Sequence, residues 1–192
     1  MTNDKRQLKL LLAEEMKLYN LSKKNKAEKR FRHTKNYMLY KALKSLRIYE
    51  YRCALRDNTA NSLLKHIRAF RVKLADRRRN IACEKVDIEL TPGMIGKNLR
   101  LCHDNVVTFA RIGENCIFHG NNMAGNKRTG ASEAIPTIGN RVDIGYGAMI
   151  IGNVTIADDC IIGAGAVVTK SFTTPNSIIA GVPAKVIGYK GN

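Results

Sequence analysis

The sequence predicts a mainly β protein: a parallel β-helix preceded by a basic α-helical segment. Three observations carry that prediction. An aliphatic residue recurs every six positions in the second half, all 15 glycines and all four prolines lie at or after Pro92, and most of the positive charge lies before that point. The division is expected near residue 86, with helices over 1–86 and repeats over 87–192.

The bulk properties bound the rest. With 192 residues, 44% of them apolar and 26% charged, the chain can bury a core. No run reaches the roughly 18–20 apolar residues of a membrane span, and the first residues lack the long apolar stretch of a signal peptide. Five cysteines (53, 83, 102, 116 and 160) form no CxxC pair, and an odd number argues against a disulfide framework. The expectation is a reduced, cytoplasmic protein without structural zinc or other bound metal. Residues 1–90 hold 24 Lys and Arg against 10 Asp and Glu, whereas residues 91–192 hold 9 against 6. A basic half of this kind suits nucleic acid, anionic lipid headgroups or an acidic substrate, or is simply a solvated helix surface. No helix-turn-helix, RNP or zinc-finger signature accompanies it, so specific nucleic-acid binding is not expected.

In the first half, Leu8, Leu11, Leu12, Met16 and Tyr19 fall on one face of a 3.6-residue helix. Asn20 to Lys35 is polar and basic and reads as a linker. From Asn36 to Arg56, Leu39, Leu43 and Leu46 with several tyrosines predict a second helix, stopped by Asp57-Asn58-Thr59. A third follows, with Leu63, Ile67, Phe70 and Leu74 on one stripe, ending at Arg77-Arg78-Arg79. That stripe is expected to pack against another part of the protein.

The second half keeps a step of six. Ile138, Ile144, Ile150, Ile156, Ile162 and Val168 follow one another without a slip, as do Ile112, Phe118 and Ala124 upstream, and Ile95 and Leu101 before them. A period of six fits neither an α-helix nor an alternating strand. It fits a coil of three short faces, about 18 residues round, whose aliphatic residues stack inside a narrow prism. Gly, Asn and Asp are expected at the turns because they tolerate positive φ. The step breaks twice. Leu101 to Ile112 spans eleven residues, and Ala124 to Ile138 spans fourteen, which predicts a loop projecting from the prism over Gly125 to Pro136.

On PTIGNRVDIGYGAMIIGNVTIADDCIIGAGAVVTKSF and the closing IIAGVPAKVIG, the chain from about Asp87 to Gly188 resembles the left-handed hexapeptide-repeat acyltransferases, serine acetyltransferase-like branch. The resemblance implies a left-handed prism and a homotrimer that binds acetyl-CoA along the groove between neighbouring subunits. Some relatives O-acetylate surface polysaccharides and others acetylate serine.

Acetyl transfer to a hydroxyl needs a base, and histidine is the natural one near neutral pH. Of the four histidines, His33 and His66 lie in the basic half and read as surface residues. His103, in LRLCHDNVV, matches the family's catalytic position, and His119, in CIFHGNN, stands one coil on as a catalytic or acceptor-positioning residue. By the same resemblance a carboxylate about fifteen residues before the histidine orients it; Asp87 and Glu89 flank that place. The small turns at Gly147-Ala148 and Gly165-Ala166 leave room for a pantetheine arm, and Lys170 and Lys185 match positions near the CoA phosphates. Asn105, Lys127 and Arg128 are the candidate acceptor-binding residues.

The chain departs from the serine-enzyme pattern in three places. The stretch from His103 to Ile112 is short, Cys102 replaces an aspartate, and Ala134-Ile135 stand where an Arg-His pair reads the amino-acid carboxylate. The expected function is therefore an acetyl-CoA-dependent O-acetyltransferase with His103 as general base and a sugar of a surface polysaccharide or its precursor as acceptor. Serine O-acetylation and an inactive hexapeptide-fold binding module are the alternatives. The basic helices would make peripheral contact with an anionic membrane or glycan.

Overall fold

A computed structural model describes residues 3–22, 25–31, 34–127 and 134–191. The chain divides into two compact units, one up to Ile88 and one from Glu89.

The first unit contains α1 (Lys5–Leu18), α2 (Lys26–Phe31), α3 (Lys35–Asp57) and α4 (Ser62–Glu84). Asp4 caps α1 by accepting from the Arg6 amide, and Asn61 caps α4 by accepting from the Leu64 amide, so each side chain satisfies an orphan helix donor. The stretch read as a linker contains α2, and α4 continues one turn past the arginine triplet to Glu84. The predicted stop after α3 is in place, with Asn58 as the C-cap and the Thr59 hydroxyl donating to the Leu55 carbonyl.

Leu39, Leu43 and Leu46 of α3 are buried as their spacing predicts. The α4 stripe is not. Leu63, Ile67, Phe70 and Leu74 are exposed, and the helix instead buries Val72, Ala75, Ala82 and Cys83. Small residues on that buried face allow close approach to α3. Burial also pushes the Cys83 thiol up to about 11. The unit has an ionic core as well. Arg47 donates to fully buried Glu15 through Nε and Nη2 at 3.0 and 2.9 Å, and to Glu50 at 3.2 Å. Burial opposes the guanidinium charge, but Glu15 and Glu50 outweigh it and hold the Arg47 pKa above its ordinary value.

The second unit is a prism of short strands. They are β1 (Ile88–Leu90), β2 (Arg100–Leu101), β3 (Val106–Thr108), β4 (Arg111–Ile112), β5 (Ile117–Phe118), β6 (Asn122–Gly125) and β7 (Thr137–Ile138). The later coils add β8 (Asp143–Ile144), β9 (Met149–Ile151), β10 (Thr155–Ile156), β11 (Ile161–Ile162), β12 (Val167–Val168), β13 (Ser177–Ala180) and β14 (Lys185–Tyr189). They form three sheets, ordered β1-β3-β6-β9-β12, β4-β7-β10 and β2-β5-β8-β11-β13-β14. The first two are wholly parallel where register is resolved, and the third closes on the antiparallel β13–β14 pair.

The inward residues stack as the step of six requires. Leu101, Phe118, Ile144, Ile162 and Ile179 align on one face, Ile112, Ile138 and Ile156 on a second, and Ala124, Ile150 and Val168 on the third. All are buried. At the eleven-residue step, Thr108 takes the inward place beside Ala124 and its hydroxyl bonds the Glu89 carbonyl, leaving only four residues to Ile112.

The glycines serve two purposes, one of them not anticipated. Gly147 and Gly165 do hold positive φ at one corner, in series with Asn105 and Asn121, but another corner is turned by Asn98, Asn115, Arg141, Asp159 and Asn176. The glycine that follows the aliphatic residue answers to crowding instead. A Cβ on Gly113 would lie 2.5 Å from the Gly139 carbonyl oxygen, and one on Gly145 2.6 Å from the Ala164 nitrogen. Among the described residues no helix is long and apolar enough to cross a membrane, and no cluster of three potential metal ligands occurs.

Candidate active site

His103 and His119 both lie just past the sheet that contains β2, β5, β8 and β11. His103 stands two residues beyond inward Leu101, and Gly120 and Tyr146 stand two beyond its stacked partners Phe118 and Ile144. The three therefore form one column across consecutive coils. A Cβ on Gly120 would come within 2.4 Å of the His103 Cβ. Because Gly120 has none, the imidazole reaches Tyr146 two coils away. The rings meet edge to face, centroids 6.2 Å apart and planes at 83°.

His119 stands one residue beyond Phe118, and its Nε2 is 2.8 Å from Oδ1 of Asp143, the residue before Ile144. This carboxylate–imidazole pair fixes ring orientation and tautomer in the way a base's orienting acid does. Behind both histidines, Asn122 is 3% exposed. Its Oδ1 accepts from the Gly120 amide at 2.8 Å, and its Nδ2 donates to the Gly145 and Ala148 carbonyls at 2.8 and 3.3 Å. A buried, satisfied amide thus ties together the corners that carry His119 and Tyr146.

The remaining candidates fall in different places. Asp87 is a positive-φ turn residue just before β1, and Glu89 is exposed on β1, the strand alongside β3. Asn105 is tied into the coil ladder, its Nδ2 donating to Asn121 Oδ1 at 2.6 Å. Gly147 and Gly165 are stacked, and the space a Gly165 Cβ would occupy is open. Ala148 and Ala166 are a correction. Both are 0% exposed and fill the prism core, and their amides and carbonyls are spent on Gly145, Gly163, Met123 and Met149. Being two residues before an inward aliphatic, their side chains share its face and cannot reach a ligand. Lys170 lies over the Phe172 ring at 5.6 Å, and Lys185 is exposed at the start of β14. Lys127 drapes across Gly152, whereas His33 and Arg128 lie outside the described residues. Cys102 is half-buried and unpaired.

Asp143 and Tyr146 were not singled out from the sequence, although the signal was there. Counting from each inward aliphatic puts His103 and Tyr146 at the same phase and Asp143 on the coil after His119.

Residues 135–170 match the family model for the bacterial transferase hexapeptide (six repeats). Over those residues the prism is similar to the transferase hexapeptide repeat. Among the chain's relatives are the serine acetyltransferase of Mycobacterium tuberculosis, 37% identical over 106 residues (53% of this chain, 45% of that protein), and the galactoside O-acetyltransferase of Escherichia coli, 39% identical over 100 residues (47% of each). The chain spans about half the length of these curated relatives. The crystal structure of Neisseria gonorrhoeae serine acetyltransferase superposes with a TM-score of 0.67 at 23% identity, covering 98% of this chain and 69% of that one, a likeness of fold.

Proposed function

We propose that the protein is an acetyl-CoA-dependent O-acetyltransferase in which His103 removes the proton of an acceptor hydroxyl. The observation that carries this reading is the column His103–Gly120–Tyr146, which holds an exposed imidazole on a corner of the hexapeptide-repeat prism. A rigid, solvent-facing imidazole is a competent general base near neutral pH. By the resemblance Glu89 orients His103, and the His119–Asp143 pair positions the acceptor.

The residues present fit acetyl-CoA. The strip at Gly147 and Gly165 is open to a slender pantetheine arm, and Lys170 and Lys185 supply cations for phosphate. When bound, acetyl-CoA supplies the thioester that the acceptor oxygen attacks.

The outer face of the sheet β3-β6-β9 supports a homotrimer: Val107, Met123 and Met149 line up there in register and are each about 40% exposed. An apolar column of this kind is suited to burial against a neighbouring prism. Five unpaired cysteines fit a reducing cytoplasm.

For the acceptor, the serine acetyltransferase relatives favour L-serine over the sugar expected from the sequence. A neutral sugar hydroxyl is the second reading, favoured by Ile135: where the resemblance places a carboxylate-binding cation, this side chain is apolar and 1% exposed. A thiol-release assay with acetyl-CoA, L-serine and a panel of galactosides and oligosaccharides decides between them. Turnover of L-serine with no competition from sugars establishes the first; turnover of sugars alone establishes the second. In either case His103→Ala is expected to lower kcat by about 10²–10⁴ with acetyl-CoA affinity unchanged. Near-normal turnover in that variant removes His103 from the mechanism.

A further inference from the structure

The helical unit contains a groove of about 800 Å³ between α3 and α4. Six cations line it: Arg30, Lys41, Lys44 and Arg52 on one side, Arg71 and Arg78 on the other. No Asp or Glu is among its lining residues. Among the described residues, Glu15 and Glu50 pair with Arg47, Asp57 with Arg56 and Asp76 with Arg79. Cations gathered round one concavity repel each other, and an anion seated among them removes that cost.

A second feature adjoins the groove. The outer face of α4 presents Leu63, Ile67, Phe70, Leu74 and Ile81, and Phe70 is 69% exposed. Leu74 and Ile81 belong both to this stripe and to the groove lining, so apolar surface and cationic groove are continuous. Over its 23 residues α4 has seven Lys and Arg against two Asp and Glu. An apolar stripe flanked by cations is the pattern of a helix lying in a membrane interface, and 23 residues lay down about 35 Å of it.

We propose that the α3–α4 surface docks on an anionic phospholipid membrane, headgroup phosphates entering the cationic groove and the α4 stripe entering the acyl boundary. The other occupants each leave one feature unexplained. A soluble polyanion fills the groove but leaves Phe70 and Ile67 in water. A second copy of the chain covers the stripe but sets the same cations against each other. The anionic membrane satisfies both, and the proposal does not depend on the acetyl-transfer reading.

The test is vesicle co-sedimentation of the full chain, using phosphatidylcholine alone and phosphatidylcholine mixed with phosphatidylglycerol, at low and high salt. Binding is expected on the mixed vesicles only and is expected to weaken with salt. Arg71→Gln and Arg78→Gln are each expected to weaken it by about fivefold, the share of one cation at such a surface. Phe70→Ser is expected to abolish vesicle binding while leaving tripolyphosphate binding intact. All three residues are exposed, so the variants retain the fold, checked by circular dichroism. Equal binding to both vesicle types, wild-type binding by Arg71→Gln/Arg78→Gln, or wild-type vesicle binding by Phe70→Ser overturns the proposal. So does a fall in oligomer mass on Phe70→Ser, which assigns the stripe to a second copy.

Discussion

His103 and Tyr146 touch edge to face across the place where Gly120 has no side chain: the ring centroids are 6.2 Å apart although a whole coil lies between the two residues. Glycine at 120 is required twice, by its φ of +117° and by the 2.4 Å that would separate its Cβ from that of His103. Gly120→Ala therefore tilts the imidazole off Tyr146. Turnover in the thiol-release assay is expected to fall by about a hundredfold, as for a base misplaced by an ångström. Unchanged kcat shows that this contact does not set the base.

The His119–Asp143 pair is half-exposed, so its energy is small: about 0.2–1 kcal/mol by analogy with surface ion pairs. Its expected effect lies in acceptor KM rather than kcat. Asp143→Asn and His119→Ala are each expected to raise KM, and the double variant to raise it no further than the worse single one. Additive effects in that cycle separate the two residues.

Glu15 is expected to be the most sensitive charge in the helical unit. It is fully buried and takes two bonds from Arg47. Glu15→Ala leaves the guanidinium without its main partner, at a cost of about 3–5 kcal/mol in urea unfolding, the range for breaking a buried pair. Glu15→Ala with Arg47→Met is expected to recover part of that loss.

Acid stability of the prism is expected to depend on its corners. The Arg141 guanidinium, bonded to Asp159 at 2.7 Å through two nitrogens, holds that carboxyl below its ordinary value, and Asn140 does the same to Asp158. Because the folded-state pKa values are depressed, the stabilisation is present above the unfolded carboxyl pKa of about 4 and is lost as pH falls through the folded values. Denaturant midpoints are expected to drop below about pH 4, and less steeply in Asp159→Asn. An identical acid slope in that variant removes the corner pair from the acid transition.

The prism was readable because its constraint is local and repeated. One residue in six must be apolar and must stack on its equivalent, so Ile138 through Val168 announce themselves one coil at a time. The helical unit was less so. Leu63, Ile67, Phe70 and Leu74 recur as a core stripe does, yet the helix buries Val72, Ala75 and Ala82 against α3. Periodicity reports an apolar face without reporting what covers it, and on a helix with two such faces it cannot choose. Ala148 and Ala166 show the same limit inside the prism, where small residues read as room for a ligand are small because the core is narrow.

What the sequence by itself determined is the prism, its three faces and the basic character of the first half. All of these follow from the order of residue types along the chain. Tertiary structure alone decided which residues meet across coils: Asp143 on His119, Tyr146 on His103 past Gly120, Asn122 tying Gly120 to Gly145, Arg47 between Glu15 and Glu50. Those pairs are separated by up to 43 positions in sequence and depend on coil register and helix packing. Distances and orientations between them are set by how the strands stack and the helices close, which no local pattern records.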